Sequence, residues 1–155
     1  MVLGFKTSLD IFPTALEAAG VQMNTSLGLD GVSLLPFLTV EKNKSPHEQL
    51  VWRKDAEAAI RLNQYKLIRV KGLGERLYDL DKDPGETTDL QLQQPQIFES
   101  MKQELLEWEK DKMKPIWTEG AVWDTITLMI HEDLMQNRKV RVHNPEELEK
   151  FRLRK

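Results

Sequence analysis

Residues Leu50 to Leu90 read LVWRKDAEAAIRLNQYKLIRVKGLGERLYDLDKDPGETTDL, and this stretch decides the fold. Taken with a period of two, it predicts a small antiparallel meander. Ala56, Ala58, Ile60 and Leu62 fall on one side, and Glu57, Arg61 and Asn63 on the other. A two-residue loop at Asn63-Gln64 sets Leu62 against Tyr65, Ile60 against Leu67 and Ala58 against Arg69. That register gathers Ala58, Ile60, Leu62, Tyr65 and Leu67 into one half-buried face. It also sets Arg61 opposite Lys66 on the far face, which is unfavourable unless a carboxylate or a neighbouring domain lies over the pair. A third run, Arg76-Leu-Tyr-Asp-Leu80, follows the turn containing Gly72 and Gly74, and Asp83-Pro84-Gly85 ends it.

Outward from the meander, helical spacing takes over. From Pro95 to Lys112, Ile97, Phe98, Met101, Leu105 and Trp108 recur at three and four, with Glu99, Lys102, Glu109 and Lys110 on the outside. Pro95 suits a first turn, Pro115 ends the run, and the apolar stripe is expected to lie across the apolar face of the sheet. Upstream, residues 8–20 predict a helix with Asp10 as N-cap, Pro13 in its first turn and Gly20 at its end. Phe12, Ala15, Leu16 and Ala19 form a stripe on that helix that needs a cover. Asp30-Gly31 reads as a tight turn, and Ser33 as the cap of a short helical turn over Leu34 to Leu38. Glu41 to Gln49 is polar, carries Pro46 and His47, and reads as a linker without a folded element. Beyond Ile116, Val122, Ile126, Met129, Ile130 and Leu134 favour a helix, although Thr125 and Thr127 leave a strand open. Asn144-Pro145-Glu146-Glu147 is a helix start, with Asn144 capping and Glu147 returning a bond.

The fold class expected is therefore α+β, a three- to four-stranded antiparallel sheet with one helix packed across it. The expected division is residues 1–49, residues 50–115 and a helical basic tail over 116–155. Composition agrees: 155 residues, 40% hydrophobic and 30% charged, suffice for one ordinary core. No apolar run approaches the ~20 residues that span a bilayer, so no membrane role is expected. The absence of cysteine removes disulfides, thiolate metal sites and cysteine nucleophiles. Net charge is −3, yet residues 138–155 hold seven basic and three acidic residues, a local +4. A basic tail can attract polyanions. Without aromatic interleaving or a nucleic-acid motif, a solvated or docked terminal helix is the reading, and no nucleic-acid partner is expected.

Ala59-Ile-Arg61, Tyr65-Lys-Leu67, Leu77-Tyr-Asp-Leu80, Asp83-Pro-Gly-Glu86 and Asp89-Leu90 together resemble the C-terminal subdomain of sulfatases. Upstream, Asp10-Ile-Phe-Pro-Thr14, Ala19-Gly20 and Leu29-Asp-Gly-Val-Ser-Leu-Leu-Pro-Phe-Leu38 look like the helix and loop that close the sulfatase catalytic domain. The resemblance runs from about residue 7 to 110 in family order. It implies that residues 1–49 are the end of a catalytic domain and 50–115 its C-terminal subdomain. It also implies a parent enzyme that hydrolyses sulfate esters through formylglycine and calcium. Family members are often secreted, periplasmic or lysosomal, which leaves the compartment of this chain unassigned.

The chemistry implied by that resemblance has no seat in these residues. It needs a Cys or Ser in a C/S-x-P-x-R context, a divalent cation held by Asp and Asn, and lysines and histidines around the sulfate. The chain has no cysteine and no Ser-x-Pro-x-Arg, because Ser45-Pro46 has the wrong spacing. No catalytic residue and no metal ligand is assigned, no cofactor is expected in this chain, and alone it is expected to be inactive. Asp81, Asp83, Glu86 and Asp89 fail the EF-hand template and read as a turn with solvated carboxylates. His47, His131 and His143 lack ligand spacing and obvious carboxylate partners, and read as surface or packing residues. Trp52, Arg53, Arg61 and Lys66 form a cationic, aromatic set suited to a sulfated sugar or aryl ester, against the plainer reading of surface charge. The expected partner is a sulfatase catalytic domain, or a second copy through the uncovered helix. The alternative function is a free-standing interaction module derived from the same subdomain.

Overall fold

Alternation along Glu57–Leu62 and Tyr65–Val70 produces what the period of two demands. The computed structural model describes residues 5–22, 27–39, 45–55, 57–114, 116 and 118–154. Four strands, β1 (Gln49–Lys54), β2 (Glu57–Leu62), β3 (Tyr65–Val70) and β4 (Gly74–Asp79), form one sheet in the order β1-β2-β3-β4. The β2–β3 register sets Leu62 against Tyr65, Ile60 against Leu67 and Ala58 against Arg69, as the two-residue loop requires. Asn63 takes φ 49°, a left-handed conformation that asparagine tolerates better than most residues. Ala56 and the helix stop at Pro115 lie outside the described residues.

The chain divides into two compact units, Met1–Leu50 and Val51–Lys155. In the second, helix α3 (Pro95–Lys110) lies on the apolar face of the sheet. Ala58, Ile60, Leu67 and Leu77 pack there with Phe98, Met101 and Leu105, edged by Val51, Leu62, Tyr65, Leu90 and Ile97. Two ion pairs bolt the helix down, Arg69 to Glu109 at 2.6 Å and Lys102 to Glu75 at 3.0 Å. Such partly exposed pairs add at most about 1 kcal/mol each, so apolar burial dominates.

The residues after Ile116 form two helices, α4 (Ala121–Met135) and α5 (Pro145–Arg152), which settles the open choice at Thr125 and Thr127. Ile126, Val142 and Leu148 make a second small core with Met129, Ile130 and Phe151. Val122 and Leu134 instead point outward, so the expected stripe is narrower than its spacing suggests. Asp133, fully buried, accepts from the Arg141 backbone N–H at 3.0 Å and its Nε at 2.9 Å, and pairs with Arg138 at 3.1 Å. The basic tail is thus docked in part through its own arginines. Asn144 caps α5 by accepting from the Glu147 N–H at 2.9 Å, but Glu147 accepts from His143 N–H rather than from the cap residue.

The first unit is built differently. Helix α1 (Ile11–Ala18) is preceded by a 3-10 turn at Ser8–Asp10 and ended by Gly20 at φ 70°. The Val21 N–H bonds Leu16 O and the Gly20 N–H bonds Glu17 O, the paired bonds of a Schellman ending. Asp10 stands at the N-cap position of α1, as expected, but its side chain caps no N–H of that helix. Its carboxylate turns back and is wholly buried, accepting from Thr7 N–H at 2.8 Å, Val32 N–H at 2.9 Å and His47 Nε2 at 2.7 Å. Thr14 Oγ1 adds a second tie, donating to Asp10 O at 2.6 Å and accepting from the Leu34 N–H at 2.9 Å. Gly31 serves close approach rather than a tight turn: a Cβ there would sit 2.0 Å from Leu9 O. Helix α2 (Leu35–Leu38) follows, and Ser33 Oγ accepts from Leu35 N–H at 3.3 Å, as its capping role predicts. The expected linker is not featureless, since His47 bridges Phe5 and Gln49 already belongs to β1.

Two outcomes follow from this packing. Leu67→Ala or Leu105→Ala, each emptying a fully buried site, is expected to cost about 3 kcal/mol in urea unfolding of the second unit. Burial alone would raise the Asp10 carboxyl, but the N–H donors of Thr7 and Val32 and the His47 ring outweigh it and hold it below the usual range. A depressed folded value contributes stability above the unfolded value of ~3.9, and this stability is lost as pH falls through the folded value. The protection factors of the Thr7 and Val32 amides, measured against their intrinsic exchange rates, should therefore fall on acidification in the native chain. In Asp10→Asn, exchange should be faster at neutral pH, by about 1–3 kcal/mol in opening free energy, and flatter in acid.

Candidate functional site

The four residues singled out for substrate contact do not converge. Val51 faces the α3 core, so strand alternation puts Arg53 on that side and Trp52 on the opposite one. Arg61 and Lys66 are direct cross-strand partners, on the face away from α3. Arg53 donates to the Met113 carbonyl, and Arg61 Nε to the Asn63 carbonyl at 3.4 Å. Lys66 pairs with Glu86 at 2.6 Å, the carboxylate that the facing cations call for. Trp52 is 48% exposed.

The acidic turn after β4 is a turn with solvent-accessible carboxylates, as expected, but several of them are also tied to backbone N–H groups. Buried Asp79 accepts from Asp81 N–H at 3.2 Å and Lys82 N–H at 3.3 Å. Asp83 accepts from the Thr88 and Thr87 N–H groups, both at 2.7 Å, and from Thr87 Oγ1 at 3.0 Å. The Thr88 N–H foremost, with Thr87, lowers its carboxyl below the ordinary value. Asp89 accepts from Leu77 N–H at 3.1 Å and Gln91 N–H at 3.0 Å and pairs with Arg76 at 3.3 Å. Asp79, Asp83 and Asp89 each close a local chain reversal, while Glu86 pairs with Lys66 and Asp81 is exposed. Tyr78, buried beside this turn, has its phenol pushed up to about 12 by desolvation first and then by Asp89 and Glu86.

Two histidines have the carboxylate partners that their sequence context hides. His47 meets Asp10 within the first unit, and His131 on α4 lies 3.4 Å from Glu57 on β2 within the second. Neither pair includes a nucleophile or a third ligand, and among the described residues no three His, Asp or Glu side chains gather where a metal ion could sit. Adjoining clefts of about 560 and 490 Å³ run past the β1–β2 turn, between Arg53 and Lys114 at one end and Lys71 and Asp124 at the other. Their central charges, Lys54 and Glu119, neutralise each other at 2.9 Å. The calcium and formylglycine implied by the resemblance do not fit this donor set, and no reaction step is assigned to it.

Comparison with known proteins gives the context. No family model matches the chain. The uncharacterized sulfatase YdeN of Escherichia coli K12 is 48% identical over 46 residues, which are 30% of this chain and 8% of that protein. The Delta 4,5-hexuronate-2-O-sulfatase of Bacteroides thetaiotaomicron is 36% identical over 92 residues, 54% of this chain and 19% of that one. The crystal structure of Ps i-CgsB superposes with a TM-score of 0.59 at 25% identity, covering 75% of this chain and 27% of that chain. In complex with k-i-k-neocarrahexaose it reaches a TM-score of 0.63 at 24% identity, a likeness of fold alone. That match covers 87% of this chain, more than residues 1–115 could supply, so the shared fold extends beyond residue 115. The chain spans less than a fifth of the curated relatives named. Sulfatase sequences matched over a small part of their length, on a fold shared with them, mark this chain as related to the C-terminal part of a sulfatase.

Proposed function

We propose that this chain serves as the C-terminal part of a sulfatase, a subdomain that completes an enzyme hydrolysing sulfate esters. The reactive groups of that enzyme, formylglycine and the divalent metal of the parent family, would lie in the preceding part. The observation that carries this reading is the 36% identity to the hexuronate sulfatase over 92 residues. It is supported by the sequence itself, which has no cysteine and no Ser-x-Pro-x-Arg from which formylglycine could form. What these residues contribute is mechanical: a sheet stiffened by α3, with its charged side chains already paired internally.

The set of Trp52, Arg53, Arg61 and Lys66 is then best placed at the margin of substrate recognition. Trp52 offers a half-exposed aromatic surface to a sugar ring, while Lys66 is held by Glu86 and Arg53 by the Met113 carbonyl. Purified alone, the chain is expected to release no 4-nitrophenol from 4-nitrophenyl sulfate with or without calcium. Calcium-dependent turnover by the chain alone would overturn the reading.

A further inference from the structure

The two clefts beside the β1–β2 turn join into one trough whose ends differ in charge. Lys54, Asp55, Thr118 and Glu119 line both and form the seam between them. Beyond the seam, the lobe of about 560 Å³ adds Arg53 and Lys114, with Met113 and Ile116, each 76% exposed, as an apolar wall. The lobe of about 490 Å³ adds Lys71, Glu57 and Asp124, with Thr127 and Leu128 from α4. Three cations thus face two carboxylates in the first lobe, and two cations face four carboxylates in the second. His131, 3.4 Å from Glu57, offsets one of those four only when protonated, so the second lobe is negative in either state. One end of the trough favours an anion and the other a cation.

These charges are not consumed as others on the same sheet are. Lys66 is taken up by Glu86 and Arg69 by Glu109, each at 2.6 Å. In the trough, the side chains of Lys114, Lys71 and Asp124 make no ion pair or hydrogen bond among the described residues. Arg53 spends one donor on the Met113 carbonyl. Only Lys54 and Glu119 pair, at 2.9 Å across the seam, with side chains 57% and 39% exposed. A pair that open to water is worth at most about 1 kcal/mol, so a ligand that offers both charges separates it cheaply. A cleft of a few hundred Å³ with an apolar wall and separated polar groups has the form of a small-molecule site.

We propose that this trough binds a small zwitterion, its acid group at Arg53 and Lys114, its amine at Glu57 and Asp124, and an apolar body against Met113 and Ile116. Such a ligand exchanges the Lys54–Glu119 contact for two of its own, Lys54 turning to the acid and Glu119 to the amine. A simple anion would take Lys54 and leave Glu119 without its partner, and a simple cation would do the reverse. The requirement for both charges on one molecule is therefore the signature of the site. Short peptides and acidic amino sugars share this chemistry. The site is independent of sulfate-ester hydrolysis and stands or falls apart from it.

The test follows backbone amide NMR shifts of the full 155-residue chain at neutral pH and low salt. The probe is ε-aminocaproate, an acid and an amine joined by an apolar chain, with caproate and hexylamine as its two halves. Saturable shifts are expected at Lys54, Thr118, Glu119 and Asp124, with the zwitterion binding at least tenfold more tightly than either half. Lys114→Glu and Asp124→Lys, both at exposed positions, should each weaken it at least fivefold while leaving the circular dichroism unchanged. Glycyl-leucine and muramic acid then separate the two sources, the tighter binder identifying the class. No saturable shift in the trough with any of these probes overturns the proposal. So does caproate or hexylamine binding as tightly as the zwitterion, which would reduce the trough to a surface of scattered charge. Unchanged affinity in both variants places the probe elsewhere and overturns it as well.

Discussion

Ile60 on β2, Leu67 on β3 and Leu77 on β4 stand directly across from one another and close under α3. A slip of one residue in the β2–β3 pairing would turn one strand over against the other, taking Ile60 or Leu67 to the far face and putting Arg61 or Lys66 beneath the helix. That penalty makes the Asn63-Gln64 loop length an energetic constraint rather than a detail. The helix position, the wiring of the acidic turn and the pairing of Lys66 with Glu86 follow from the register it sets.

The two units illustrate two ways of ordering a chain. The second does so by burying apolar surface, which is non-directional and tolerant of exchange among similar side chains. The first does so by a few directional bonds on a buried carboxylate, where loss of one partner leaves a buried polar group unmet. A frame of that kind leaves apolar side chains free for use on the surface.

Charge tells a similar story at shorter range. The acids from the end of β4 onward suggest a cation site when counted and a set of Asx-type turns when traced, because Asp79, Asp83 and Asp89 each find backbone N–H groups two to five residues on. The arginines of the tail suggest a polyanion surface when counted, yet Arg138 and Arg141 converge on Asp133. Composition registers the number of charges and is blind to the partners that consume them.

The meander, its register and the helix expected from Pro95 to Lys112 were legible in the sequence, since alternation and helical spacing are local and repeat within a few residues, and the relation to sulfatases was legible in the motifs between residues 7 and 110. The helical ending at Gly20 and the cap at Asn144 were legible for the same reason. What tertiary structure alone decided are contacts between residues far apart in the chain. Asp10 meets His47 across 37 positions and His131 meets Glu57 across a longer gap, and no period or motif links them. The exposure of the α1 stripe belongs to that class too: spacing shows that a face is apolar, but only packing shows whether anything lies against it.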